Sequence, residues 1–428
     1  MRALARVAAR RALRGAAASV AKLARGHASS ALVAGEAEAE EAARKLIEKL
    51  PEKRNGLLLY LAKGYGARSE CIGPLLHEHL GSDAVVLGCN SEGGVMAQGR
   101  ELQKETFALA ALLLDLPGLQ ARPFAGDLEQ LPSLKRGGRW SSGTDRSALA
   151  FCSLPVSAGD PQSWVCMLDI ALTGRSGRPP VLVGGMPVGG YAYVDGEMKA
   201  SGAFGVVLEG ASCSPVVCQG SEPFGPFMEI TAVQQQHVIR EINGQSPRDL
   251  LLPLLNGPQV PGTGSSMAGI FVDPKPESGE HGSWTDAHLA AAALGGRPNC
   301  LSRPMHAFTQ EGYLVLSPLT DMTPYAPGMQ LQLQCFSPQH ALRDLRSRAE
   351  TDLALHGRPP DAVVMVSCGA RGSELYGEEG VESAILREVW GCDVPMLGFF
   401  AGGEFGPVGL RTYVHGYTTS CMMIRSGQ

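Results

Sequence analysis

The stretch Val363-Val364-Met365-Val366-Ser367-Cys368-Gly369-Ala370-Arg371-Gly372 carries more structural information than any other in this 428-residue chain. Its first half is a short run of apolar and β-branched residues, the pattern of a strand buried on both faces. The run ends in a turn where glycines bracket a thiol and a guanidinium. On either side lie segments of helical spacing, Gln339 to His356 and Glu378 to Trp390, and a second apolar run, Met396 to Phe400. The same alternation recurs earlier. Glu36 to Leu50 is helical with acidic residues early and Lys45 and Lys49 late, matching the helix dipole. Leu57 to Ala62 reads as a strand, Cys71 to Leu80 as a helix, and Phe107 to Leu116 as a strand or a buried helix. A hairpin centres on Asp195-Gly196. Strands and helices mixed around hairpins predict an α/β (mixed α+β) fold, a two-part layered sandwich of mixed sheets and helices. No internal repeat shows at a period of about 20–50 residues. Two Gly/Pro-rich stretches, 126–147 and 257–283, are expected to be a surface excursion and a flexible insert.

Charge is distributed unevenly. Residues 1–34 hold six Arg and Lys22 with no Asp or Glu, so the remainder has 30 basic against 42 acidic residues. An Arg-rich, acid-free, Ala-rich start is the pattern of an organellar transit peptide, mitochondrial or plastid; a basic tail of a cytoplasmic protein is the alternative. The acidic remainder speaks against nucleic acid as a partner. The apolar run Phe107 to Leu114 is far too short to span a bilayer. The eleven cysteines have no C-x-x-C spacing, which predicts reduced thiols. His77-Glu78-His79 has no further ligand at zinc spacing and reads as a solvated helix face. No metal or cofactor is expected.

Three Gly-rich segments could carry chemistry. In the first, Gly369 lets the backbone approach an anion while Arg371 offers a planar fork; a tight turn with a surface Arg is the plainer reading. In the second, Gly398 to Pro407, Glu404 sits in a Gly-rich turn where it could pair with Arg371 or accept a ligand amine. The third, Cys218 to Pro226 with Thr231 following, reads first as a loop between strands. Cys368 could act as a nucleophile with His415 or His306 as base, though no spacing ties either to it.

Taken in order, these segments resemble the FIST domain family, named for F-box and intracellular signal transduction proteins. The resemblance rests on Val366 to Gly372, Val394 to Glu404 and His415 to Thr418 at the end. In the middle it rests on Gln219 to Gly225, Ile230 to Ala232 and Glu241 to Gly244. It implies a FIST N half over 35–187 and a FIST C half over 188–428. It further implies a non-enzymatic sensory module that binds a small metabolite such as an amino acid and signals to a partner. A protein-interaction adaptor related to the F-box proteins is the alternative, although residues 1–56 are too few to hold an F-box. On the sensor reading, Arg371 and Glu404 hold the carboxylate and amine of a zwitterion. Cys368, Gly369, Gly402, Gly403, Gly220 and Thr231 complete the expected ligand site.

Overall fold

The computed structural model describes residues 27–51, 56–126, 147–153, 161–172, 181–199, 202–234, 237–257, 265–271, 300–317, 324–409 and 411–427. One sheet has the order β1 (His27–Ala34), β6 (Ala108–Asp115), β2 (Leu57–Lys63), β3 (Val85–Asn90), β10 (Ala192–Val194), β11 (Glu197–Lys199). An eleven-stranded sheet runs β13 (Ala211–Cys218), β23 (Thr419–Ser426), β20 (Ala362–Cys368), β21 (Met396–Val408), β9 (Val181–Pro187), β8 (Ser147–Ser153), β12 (Gly202–Glu209), β7 (Gln120–Gly126). β22 (Arg411–His415) and β4 (Val95–Ala97) also pair with β21, and β5 (Arg100–Leu102) pairs with β4. A closed barrel joins β14 (Ser221–Gln234), β15 (Val238–Ile242), β18 (Leu314–Leu316), β17 (Cys300–Phe308), β16 (Ser265–Phe271) and β19 (Gln330–Phe336). The helices are α1 (Ala39–Ile47), α2 (Ile72–Leu80), α3 (Pro161–Leu172), α4 (Pro247–Leu255), α5 (Pro338–His356), α6 (Ser373–Tyr376) and α7 (Val381–Trp390).

Side-chain alternation explains the layering. Along β2, Leu57, Leu59 and Leu61 face the second sheet while Leu58, Tyr60 and Ala62 face α1 and α2. Along β20, Ala362, Val364 and Val366 meet the first sheet, and Val363 and Met365 meet α5 and α7. Strands covered on both faces need continuous apolar runs, which is why period-2 alternation is absent from the sequence here. The molecule is therefore a mixed α/β sandwich: helices, sheet, sheet, helices, with the barrel beside them.

Three stretches of chain repeat one plan. β1-β6-β2-β3, β7-β12-β8-β9 and β13-β23-β20-β21 have the same spatial order, and in each the last two strands are parallel and joined through a helix: α2, α3 or α7. The units open at His27, Gln120 and Ala211. Hairpins tie them together: β4–β5 of the first unit adds to β21 of the third, and β10–β11 of the second adds to β3 of the first. The unit is longer than the periods scanned in the sequence, and the barrel splits the third copy between β13 and β20.

The structure departs from the sequence reading in four places. Residues 265–271, inside the stretch expected to be a flexible insert, form β16, whose Ala268 and Ile270 are buried in the barrel while Met267 packs on its outside with Phe336 and Ala341. The remainder of that stretch from 272 to 283, like 127–146, lies outside the described residues. The Gly-rich segment around Glu404 is not a turn but part of the long strand β21. Strands on both sides of the expected 187/188 junction share the eleven-stranded sheet. Finally, residues 1–26 of the basic leader lie outside the described residues, but 27–34 form β1, with Ala31, Leu32 and Val33 buried. At about 1.5–3 kcal/mol for each large apolar side chain buried, this edge strand contributes several kcal/mol. A chain starting at Gly35 should therefore melt clearly lower than one starting at His27; equal melting temperatures would mean β1 contributes nothing.

Candidate functional site

The parallel strands β20 and β21 end side by side, the edge of an α/β sheet where ligands characteristically bind. Between Ala401 and Glu404, β21 gains one residue on its partner β9, a bulge formed by Gly402 and Gly403. A Cβ on Gly403 would stand 2.3 Å from Met186 Cε, so a larger residue there would push the end of the Met186 side chain aside. The extra residue re-aims the strand and drives Glu404, 0% exposed, into the interior beside Cys368.

Arg371 does not pair with Glu404. Its guanidinium is wholly buried, and every one of its N–H groups has a nearby acceptor. Nε donates to Glu382 Oε1 at 2.8 Å, and Nη1 donates to the carbonyls of Tyr417 (2.9 Å) and Cys218 (3.3 Å). Nη2 lies 2.5 Å from Glu382 Oε1 and 3.0 Å from Tyr376 Oη. Glu382 also accepts from Ser367 Oγ, Thr419 Oγ1 and Tyr376 Oη. This is a closed structural pair, and an anion would have to displace Glu382 to reach Arg371. Among the expected site residues, Gly220 sits near this network, its N–H donating to Asp344 Oδ2 and its Cα packed on Ala341 of α5. Thr231 is elsewhere: its hydroxyl caps the Asn243-Gly244 turn of the barrel by accepting from Gly244 N–H.

Glu404 is the open group. Its Oε2 accepts from Thr418 N–H at 3.2 Å, whereas Oε1 accepts no N–H or O–H among the described residues. Burial holds the carboxyl well above the usual carboxylate range and so favours its neutral form. The Cys368 thiol shares a hydrogen bond with it and is only half-buried. Burial first, then Glu404, pushes that thiol up to about 11, against the opposing N–H groups of Ala370 and Tyr417. A thiol so protonated is a poor nucleophile. Neither expected base reaches it: His415 Nε2 donates to Gly406 O, and His306 bonds Ser317 Oγ. Exposed Gly402, Val188 and Tyr417 lie on the surface near the thiol, the last holding φ +57°, an unusual backbone for an aromatic residue. The Tyr417 ring packs on Phe336 of the barrel, centroids 5.3 Å apart.

Residues that the sequence reading did not single out lock this edge to the first unit. Glu101 accepts from Gly380 N–H, Ser383 N–H and Ser383 Oγ, capping α7. Gln103 Oε1 accepts from Ser373 N–H, and its amide nitrogen lies 3.4 Å from Arg371 O and 3.5 Å from Gly369 O. For Glu382 a signal existed: it shares the apolar face of α7 with Ile385 and Leu386, three and four residues on. No group of His, Cys, Asp or Glu among the described residues could hold a metal ion, and no helix there is long and apolar enough to cross a membrane.

Two outcomes follow for stability. Arg371→Ala strands Glu382 as an uncompensated buried charge and should cost about 3–5 kcal/mol in denaturant unfolding, while Glu404→Gln, which breaks no ion pair, should cost under about 1 kcal/mol; equal costs would contradict the assignment. Burial, with Arg303 and Arg348 nearby, lowers His415 from 6.5 to about 3. Above pH 6.5 both folded and unfolded states carry neutral His415; below it only the unfolded state takes the proton. Stability should therefore fall from pH 6.5 towards 3 by up to about 1.4 kcal/mol per unit from this group. His415→Gln should remove that part of the slope, and an unchanged slope would refute it.

Comparison with known proteins agrees with this architecture. The FIST N domain matches residues 56–245, running on past the 187/188 junction to the first barrel hairpin, and the FIST C domain matches 299–407. An uncharacterized protein of Mycobacterium tuberculosis (strain CDC 1551 / Oshkosh) is 28% identical over 353 residues, covering 79% of this chain and 82% of its own length. A second, from Mycobacterium bovis, is 27% identical over 348 residues, covering 78% and 81%. The two domain matches together take in most strands of both sheets and of the barrel, β1, β16, β22 and β23 aside, with the Cys368–Glu404 edge, and the chain belongs to the FIST domain family.

Proposed function

We propose that this protein is a small-metabolite sensor whose ligand enters at the edge formed by Cys368, Gly369, Gly402 and Gly403 and is read by Glu404. A sensory signalling role is what the FIST domains suggest. The observation that carries the finer reading is the Glu404 carboxyl, buried and with one oxygen lacking an N–H or O–H donor among the described residues, behind a half-buried thiol. A buried polar group left unmatched costs about 1–3 kcal/mol. A ligand donor that satisfies it recovers that energy, which is why such a group suits a binding site. The route outward is also built: the loop carrying Gly369 and Arg371 is held by Gln103 of the first unit, so a shift at the edge is felt by both halves of the molecule.

The test is a thermal melt of the protein against a panel of amino acids and small organic acids. Ligand at a hundredfold above its dissociation constant adds about 2.7 kcal/mol, a shift of degrees. A hit is expected, and it should vanish in Glu404→Gln. A flat panel with well-folded protein would contradict the sensor and leave the protein-interaction adaptor as the better reading.

A further inference from the structure

We infer that the Glu404 site selects its ligand by an ammonium group and makes no use of a carboxylate. The inference rests on the binding reading above and narrows it. The guanidinium that a carboxylate would need is occupied, since Arg371 is 0% exposed and each of its N–H groups is directed at Glu382, Tyr376, Cys218 or Tyr417. The group that remains open is an acid. Around it stand a thiol, a backbone N–H, an imidazole and a glycine, with Arg303 and Arg348 beyond the imidazole. From β20 comes the half-buried Cys368 thiol, and from the turn before β23 the Thr418 N–H. From β22 comes His415, the register partner of Glu404, whose Nε2 is engaged by Gly406 O and which is neutral at pH 7. From β9 comes Gly185, which brings no side chain. Arg371 and Glu382 are close enough to act on Glu404, in opposite directions, and are paired with each other. At the rim, the backbone N–H of exposed Glu92 bonds Val188 O, and Val188 Cγ2 comes within 4.0 Å of a Cβ position on Gly402.

An ammonium offers three donors and a charge. When it docks, the Glu404 O–H gives its proton to bulk water, and the carboxylate left behind pairs with the charged amine. One proton leaves for each ligand bound, no covalent bond to the ligand forms, and the local net charge stays at zero. An arriving carboxylate would instead meet the Glu404 acid, with the Arg371 guanidinium already engaged by Glu382, so its desolvation is not offset there.

The experiment uses the full chain and matched probes on three side chains. The amines are ethylamine, 3-methylbutylamine and phenethylamine. The amino acids are alanine, leucine and phenylalanine; the acids are propionate, 4-methylpentanoate and 3-phenylpropionate; the last set is the N-acetylated amines. Binding is followed by calorimetry in two buffers of different ionisation enthalpy. Within at least one series, the amine should bind as tightly as its amino acid or tighter, and the acid and the N-acetyl compound should not bind. Affinity should rise by up to tenfold per pH unit while Glu404 is protonated in the free protein. Glu404→Gln should lose amine binding; if that variant fails to fold, proton release by the wild-type protein decides. An amino acid that binds while its amine does not, an acid that binds in a Glu404-dependent way, or amine binding without proton release overturns the ammonium assignment and leaves the site standing. Silence from every probe overturns both.

Discussion

The buried pair of Arg371 and Glu382 is the constraint on which the C-terminal edge of the large sheet depends. Taking either charge out of water is expensive, and their attraction offsets that cost only with good geometry and further hydrogen bonds. Here the geometry is complete: Ser367 and Thr419 from neighbouring strands, Tyr376 from α6 and two backbone carbonyls all close on the pair. The pair thereby fixes α7 against β20 and β23, and fixes the loop after β20. It is this closure that leaves Glu404 without a cation.

The threefold plan explains why the opening lies where it does. Each unit ends a parallel strand pair at one edge, and hairpins from one unit pad the last strand of another. In the third unit, the Gly402–Gly403 bulge replaces simple continuation of β21 and turns an acid inward. The β5 strand and the residues just after it supply Glu101 and Gln103 to the same region. A site made by one unit is in this way held by another, which suits a module whose halves must respond together.

Much of the fold was legible in the sequence because buried strands and amphipathic helices leave different apolar periods. Leu57 to Ala62, Val363 to Val366 and Gln339 to His356 are found as read. What was not legible depended on long-range pairing. β16 is only a few alternating residues among glycines and prolines, and its place is given by β17 and β19. The strand around Glu404 looked like a turn because glycine serves a bulge as readily as a turn. Of the residues singled out, Cys368 and Glu404 lie side by side, but the partner of Arg371 is Glu382, which the sequence did not single out. Glu382 is one of several acids in the sequence there, and only its position on the apolar face of α7 separates it from Glu378 and Glu379. Charge complementarity in a sequence names candidates; topology chooses among them.

The account stands or falls on the state of one carboxyl. Carbon-13 NMR titration of the glutamate-labelled protein, with the Glu404 resonance assigned by its loss in Glu404→Gln, reads that state directly. A Glu404 carboxyl that is still protonated at pH 7 is the predicted result. A carboxyl that titrates in the usual range would mean that Glu404 is already paired or hydrated, and would contradict the open buried acid on which the site is built.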